Sequence, residues 1–278
     1  MFFTSWEPKP ARPCIESESA LMRIEVLKGF LAQQRPLSQE VLRRFMDDLL
    51  VRMTHHSNAI EGNTLTLNET QVVIMHGVTV GGKTLAEHIE AVNHKEALTW
   101  VLDRAKAKGP SENCTIEDIQ TIHKFILAGS NQAGQWREDQ VMIAGSTHVP
   151  PRPEKIPYAM ASMMNWLEKD GPGFHPVERA ARLHAELVTI HPFIDGNGRT
   201  ARLFMNLELI RSGFPAVVIH NEDRLEYYNG LQKIQERGIF DDFLKFVCRA
   251  VEGSFTPYWH LFDVSEEQIK ALTQPGQL

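Results

Sequence analysis

The chain has 278 residues, 29 Lys plus Arg against 35 Asp plus Glu, and 42% hydrophobic residues, a globular composition with room for one large domain or two small ones. The net charge of -6 gives no bulk attraction to nucleic acid or anionic lipid, and no apolar run approaches the roughly 20 residues that a membrane-spanning helix needs. The first thirteen residues show no cationic stretch followed by an apolar one, and three scattered cysteines, Cys14, Cys114 and Cys248, have neither disulfide-frame nor zinc-site spacing. The expectation is a cytoplasmic protein with buried thiols.

Apolar residues recur at three- and four-residue steps in nearly every segment, which predicts a mainly α fold. From Val41 the positions Leu42, Phe45, Met46, Leu49, Met53 and Ile60 follow one helix face, with Gly62-Asn63 as a left-handed stop. Thr66 and Glu69 form a capping-box pair that opens a short helix to Met75. A helix from about Leu85 to Lys108 meets Gly109-Pro110, and Thr115 with Asp118 starts the next, through Ile119, Ile122 and Ile126 to Gly129. Between Gly134 and Pro151 the period changes: Val141 and Ile143 alternate with polar neighbours ahead of a Gly145-Ser146 turn, which predicts one β-hairpin. Pro157 and Pro176 suit the first turns of two further helices. After the segment His191 to Gly198 another helix carries Leu203, Phe204, Leu207 and Ile210 as far as Gly213, and two or three more complete the chain.

The segment His191-Pro192-Phe193-Ile194-Asp195-Gly196-Asn197-Gly198-Arg199-Thr200-Ala201-Arg202 joins two helices. Gly-Asn-Gly at the start of the second lets backbone N–H groups converge where the helix dipole is positive, so the turn suits a phosphate. Arg199 and Arg202, three residues apart, can project toward one anion. Asp195 places a carboxylate beside the turn, where it can hold Mg²⁺. His191 ends the preceding helix and offers a base near neutral pH. Together these groups describe transfer of a phosphorus-containing group.

The segment resembles the signature of the Fic family, His-Pro-Phe-x-Asp/Glu-Gly-Asn-Gly-Arg-x-x-Arg, with every specified position filled. The resemblance implies a helical bundle that transfers AMP from ATP to a Ser, Thr or Tyr hydroxyl of a target protein, with release of pyrophosphate. It makes His191 the general base, Phe193 the anchor of the loop and Asp195 the Mg²⁺ ligand. The backbone of Gly196, Asn197 and Gly198 is then the pyrophosphate cradle, and Arg199 and Arg202 grip the outer phosphates.

Ser57-Asn58-Ala59-Ile60-Glu61-Gly62-Asn63 is similar to the family's inhibitory motif, Ser/Thr-x-x-x-Glu-Gly/Asn, here N-terminal to the catalytic segment as in class II members. Glu61 stands in the last turn of its helix, where the dipole disfavours a carboxylate and favours an external cation. The resemblance supplies Arg202 as that cation and implies an enzyme restrained at rest, with AMP removal as a second activity in some members. The hairpin, with Val141, Met142, Ile143, Ala144 and Gly145, is similar to the family's flap, which docks an extended target by β-augmentation. Tyr227 and Tyr228 fall where the family often contacts adenine. Adjacent residues on a helix cannot share a face, so one of the two should be core. Where the family commonly has Gly-Asp shortly after, this chain has Gly238-Ile239.

By this reading residues 1–110 are an N-terminal helical region with the inhibitory helix at about 41–62, residues 111–252 are the catalytic core, and 253–278 are a C-terminal helix and tail. Self-modification and a homodimer are compatible with the resemblance.

Three other readings compete. Gly77-Val78-Thr79-Val80-Gly81-Gly82-Lys83-Thr84 matches a P-loop literally, but that fold needs alternating strands and helices that this sequence lacks. A regulatory or toxin-like module that binds nucleotide without transferring it is argued against by the intact signature. A transferase of UMP or phosphocholine would keep the fold and change the donor.

Overall fold

The computed structural model describes residues 13–34, 36–108, 112–143 and 145–273. Twelve α-helices run through them: α1 (Ile15–Ala32), α2 (Gln39–Ile60), α3 (Leu67–His76), α4 (Leu85–Lys108), α5 (Ile116–Ile126), α6 (Ile156–Lys169), α7 (Pro176–Ile190), α8 (Asn197–Arg211), α9 (Arg224–Arg237), α10 (Asp241–Gly253), α11 (Thr256–Leu261) and α12 (Glu266–Leu272). No helix among the described residues is long and apolar enough to cross a membrane.

The local signals act as predicted at several ends. Thr66 and Thr115 each close a complete capping box, with Glu69 and Asp118 as third partners. Pro176 opens α7, Gly77 caps α3 in the left-handed region, and Gly62 follows α2 with φ 101°. Pro157 sits inside the first turn of α6, which begins one residue earlier at Ile156. The predicted stop at Gly109-Pro110 lies outside the described residues, as does Ala144 of the expected flap. Helix α1, which sequence periodicity left unassigned, buries Leu21, Ile24 and Leu27, spaced at three residues, against α10. Of the thiols, Cys114 and Cys248 are buried as expected, whereas Cys14 at the start of α1 is only half-buried.

Helix α8 is the axis of the molecule. Ala201, Leu203, Phe204, Met205, Leu207 and Leu209 are all at most 1% exposed and point around the whole circumference, as befits a helix enclosed by neighbours rather than lying on a surface. Helices α4, α5 and α7 pack against it. Its polar residues are paired: Asn206 exchanges two hydrogen bonds with the Val217 backbone at 2.6 and 3.0 Å, and Glu208 lies between Arg179 and Arg211. One continuous core gathers residues from Leu21 of α1 to Trp259 of α11, so α8 and its N-terminal turn are held from every side.

The hairpin expected between Gly134 and Pro151 is not formed: no strand is present among the described residues there. The segment runs as irregular backbone with a turn from Ile143 to Ser146, where Gly145 has φ 77°. Pro150 and Pro151 cannot donate ladder bonds, and a lone two-stranded ribbon has no third strand to support it. Its polar groups bond to the body of the protein instead. Likewise, Val72 to Met75, where a P-loop would need its preceding strand, lie inside α3, and Lys83 Nζ donates to the Thr64 carbonyl at 2.5 Å.

Four buried histidines make the fold acid-sensitive. Burial drives His94 and His184 down to about 3, and His56 and His123 to about 4. The unfolded chain takes up these protons near pH 6.5 and the folded one only near pH 4 for His56 and His123 and near pH 3 for His94 and His184. Their contribution to stability is therefore present above pH 6.5 and is lost as pH falls toward 4, at up to about 1.4 kcal/mol per pH unit for each. The expected result is a Tm that drops between pH 6.5 and 5.5, with the four histidines outweighing Glu186, whose buried carboxyl is pushed up to about 8 and favours the fold as pH falls; a flat Tm across that interval would contradict it.

Candidate active site

The turn between α7 and α8 is built from three interlocked parts. His191 caps α7 in the left-handed region, with φ 50°, unusual for a residue other than glycine. Arg137 stabilises that backbone: its own N–H bonds the Pro192 carbonyl at 2.9 Å, and its guanidinium donates to the carbonyls of His191 (2.9 Å), Asp139 (2.8 Å) and Pro151 (2.5 Å). Beyond it the Phe193 ring is fully buried, stacked on His123 at 3.5 Å and 9° and tilted against Trp136 at 4.9 Å. Asn197 closes the loop, accepting from Phe193 N–H at 3.0 Å and donating to Phe193 C=O at 2.9 Å. His123 accepts from Gly134 N–H through Nδ1, so Nε2 carries the proton given to the Asp195 carbonyl at 3.1 Å.

Arg137→Met leaves the carbonyls of His191, Asp139 and Pro151, whose bonds to it are part-buried, without that donor, at about 1 kcal/mol each. The expected drop in Tm is roughly 6 °C or more, with a displaced His191 reporting in the imidazole NMR signals. A variant as stable as the parent would show that Arg137 does not support the turn.

At the start of α8, Gly196 has φ 72°, and a Cβ there would press on Ile126 and His123. Gly198 matters through space rather than conformation: a Cβ built on it would collide with the Glu61 carboxylate. Glu61 thus places its negative charge against the N-terminal turn of α8, the position to which helix dipole and bare backbone draw an anion. Its Oε1 accepts from Arg202 Nη2 at 2.7 Å. Arg202 is further held by the Ser57 hydroxyl (3.0 Å), the Ser57 carbonyl (2.8 Å) and Tyr227 OH (3.3 Å). Burial works against the charge on Arg202, but Glu61 beside it prevails and holds the guanidinium above its ordinary range. Burial also drives His191 down to about 4, against the upward pull of the Val188 carbonyl that its Nδ1 approaches at 3.3 Å. Nδ1–H to Val188 leaves Nε2 as the unprotonated nitrogen.

These groups border a cleft of about 570 Å³. Its lining includes Glu61, His191, Asp195, the Gly196–Arg199 turn, Tyr227 and Tyr228 on one side and Met142, Ile143, Gly145 and Ser146 on another. The Asp195 side chain is 67% exposed. Its Oδ1 accepts from Gly196 N–H and both oxygens lie 3.4 Å from Arg199, yet as an exposed hard oxygen donor at the mouth of an anion cradle it fits Mg²⁺ beside a polyphosphate.

Comparison with known proteins gives one answer. The model of the Fic/DOC family matches residues 113–209. Protein adenylyltransferase Fic of Nematostella vectensis is 39% identical over 244 residues, covering 86% of this chain and 56% of the relative. Protein adenylyltransferase fic-1 of Caenorhabditis elegans is 36% identical over 231 residues, 82% of this chain and 45% of the relative. A solved structure of Fic-1 from C. elegans has a TM-score of 0.80 at 31% identity, over 90% of this chain and 74% of that one. The chain belongs to the Fic family. A Fic domain containing signaling protein from Bacteroides thetaiotaomicron likewise has a TM-score of 0.75 at 30% identity, over 91% of this chain and 97% of that one. The chain spans about half the length of the curated Fic relatives it matches.

The fold brings the Fic signature residues together as the sequence suggests, with one difference. Arg199 and Arg202 do not face one anion: Arg202 takes Glu61, while Arg199 lies 3.4 Å from both Asp195 and Glu90. Three residues on a helix are about 60° apart, enough for each guanidinium to find its own carboxylate. Asn197 turns its side chain inward to pin Phe193 and presents only backbone to the cleft. Tyr227 is the core member of its pair, 1% exposed, and Tyr228 the outer one at 39%. Val141 is half-buried outside the cleft lining, and Met142 stands 85% exposed at its edge. The flap is tied down by Ser146 to Gln235 (3.2 Å), Thr147 to Glu236 (2.6 Å) and His148 to the Thr189 carbonyl (2.9 Å). Sequence reasoning passed over Arg137, His123, His148 and Glu90. His123 shares the helix face of Ile119, Ile122 and Ile126, and Arg137 lies in a segment without period; only their spatial partners show their roles.

Proposed function

We propose that this Fic protein is a protein adenylyltransferase that moves AMP from ATP to a hydroxyl side chain of a target protein, held in check by its own Glu61. The observation that carries the proposal is the Glu61 carboxylate set on Gly198 and Arg202, in the cleft that His191 also lines, where an outer phosphate of a nucleotide would lie. The relatives named protein adenylyltransferase support it.

In the reaction, His191 Nε2 removes the proton of the target hydroxyl, whose oxygen attacks the α-phosphorus. The new O–P bond forms as the bond from the α-phosphorus to the bridging oxygen breaks, and pyrophosphate leaves with that electron pair. The N–H groups of Gly196 to Gly198 and the guanidinium of Arg199 hold the phosphates, and Arg202 joins them once it is free of Glu61. Asp195 is the residue that would hold Mg²⁺, whose role when bound is to neutralise charge on the leaving pyrophosphate. Tyr228, on the outer face of α9, borders the space for the base. Residues 141–143 and 145 at the edge of the cleft would guide an extended target segment by main-chain bonds, with Ala144 part of the same segment by sequence. In this division of labour α2 with Glu61 regulates, and the region from 111 to 252 performs the chemistry.

The test is the position of the label. Protein incubated with Mg²⁺ and ATP labelled at the α-phosphate should become covalently labelled, or label proteins of a lysate, while γ-labelled ATP leaves them unlabelled. Transfer from the γ-position would make it a kinase and sink the proposal. Transfer of UMP in place of AMP would keep the site and change the donor.

A further inference from the structure

Away from the cleft, a second cluster of chemistry-bearing side chains joins α2 to the turn that leads into α9. His56 lies in α2 five residues before Glu61; His220 precedes a short turn at 221–223, and Glu222 lies within it. One donor atom from each falls within 4.8 Å of the other two. His56 Nδ1 is 3.7 Å from a Glu222 carboxylate oxygen, and the His56 and His220 rings meet edge to face at 4.5 Å. His56 is buried, whereas His220 and Glu222 are exposed, so an ion can enter from solvent with little rearrangement and complete its shell with water.

The protonation state also suits a ligand. Asn221 N–H points at His56 Nδ1 from 3.2 Å, so that nitrogen presents a lone pair, and burial keeps the ring neutral at pH 7. A cation would take the lone pair in place of one backbone N–H, which then turns to water. A packing role for His56 is satisfied by Asn221 alone. It accounts for neither the His220 ring nor the Glu222 carboxylate, two exposed side chains converging on one buried nitrogen. Two imidazoles and one carboxylate with a position left for water are a donor set for zinc and its neighbours, rather than for Mg²⁺ or Ca²⁺, which prefer oxygen throughout.

We infer that His56, His220 and Glu222 bind one divalent transition ion of the zinc class, which staples helix α2 to the segment entering α9. Helix α2 carries Ser57 and is capped by Glu61, and α9 carries Tyr227, which also bonds Arg202. With the two tied together, the Glu61–Arg202 pair opens less often. This consequence, unlike the site itself, rests on the adenylyl-transfer reading.

The test uses the full chain without a histidine tag, stripped with chelator, and needs no ATP. Co²⁺ should saturate at one equivalent with visible absorption bands of low-coordinate cobalt. His220→Ala and Glu222→Gln, both at exposed side chains, should each weaken binding by more than about 10-fold. Zn²⁺ at a hundredfold excess over its Kd should raise Tm by about 5 °C in the parent and not in His220→Ala. No saturable cobalt spectrum, or binding that survives both substitutions unchanged, would overturn the site. In a separate arm, Zn²⁺ should slow α-label transfer by the parent and leave His220→Ala unaffected. Metal binding with equal slowing of both proteins would retain the site and discard its regulatory role.

Discussion

Glu61→Gly should raise the rate of adenylyl transfer roughly 30-fold, measured as pyrophosphate release at saturating ATP and Mg²⁺. The argument starts from the charge pair. Arg202 is buried, and Glu61, one-third exposed, gives it a charge-assisted bond of 2.7 Å. After discounting for solvent at the glutamate, such a contact contributes about 2 kcal/mol, and at about 1.4 kcal/mol per factor of ten its removal frees Arg202 by that factor. The carboxylate also occupies the space over Gly198, so its loss both releases the arginine and empties the anion cradle. Glu61 lies just past the last residue of α2 with φ -87°, a conformation glycine also adopts, and the left-handed stop at Gly62 stays in place, so the fold should be little disturbed. A Tm within a few degrees of the parent, together with the faster rate, separates release of a restraint from loosening of the whole molecule. An unchanged rate would mean that Glu61 does not govern the site.

His191→Ala should remove activity while leaving the nucleotide bound. A positioned general base contributes roughly 10²- to 10⁴-fold, and among the described residues no other imidazole lines the cleft. His148, the nearest candidate in the flap, is engaged through Nε2 with the Thr189 carbonyl. The phosphate-holding groups, Gly196 to Gly198, Arg199 and Arg202, belong to α8 and its first turn rather than to the helix that His191 caps. ATP affinity measured by calorimetry in the Glu61→Gly background should therefore stay within a few-fold. Full affinity with activity lost assigns His191 to chemistry. Retained activity would reassign the base.

The parts of this site that could be read from the sequence are those where one short segment carries both geometry and chemistry. Gly196, Gly198, Arg202 and His191 are confined to twelve residues at a helix junction, so local rules placed them correctly. Glu61 was legible for the same reason, as a carboxylate at the wrong end of a helix. The Tyr227–Tyr228 pair needed only the rotation of adjacent helical residues. What could not be read depends on distant partners. Glu90 reaches Arg199 from α4, and Arg137 reaches His191 across 54 positions. Alternation of Val141 and Ile143 mimicked a strand, but tertiary bonds from Arg137, Ser146 and His148 outweigh that local preference. Helix α1 escaped notice because its buried residues recur at three-residue steps among exposed Ile15 and Met22, which blur the stripe.

The central claim is that one arginine and one bare turn serve either Glu61 or a nucleotide, but not both. Its most direct test is to expose the parent, Glu61→Gly and Glu61→Gly with His191→Ala to α-labelled ATP and Mg²⁺, alone and with lysate. Strong labelling by the single variant, faint labelling by the parent and none by the double variant is the predicted outcome. Equal labelling by parent and single variant, or labelling that survives in the double variant, would contradict the account.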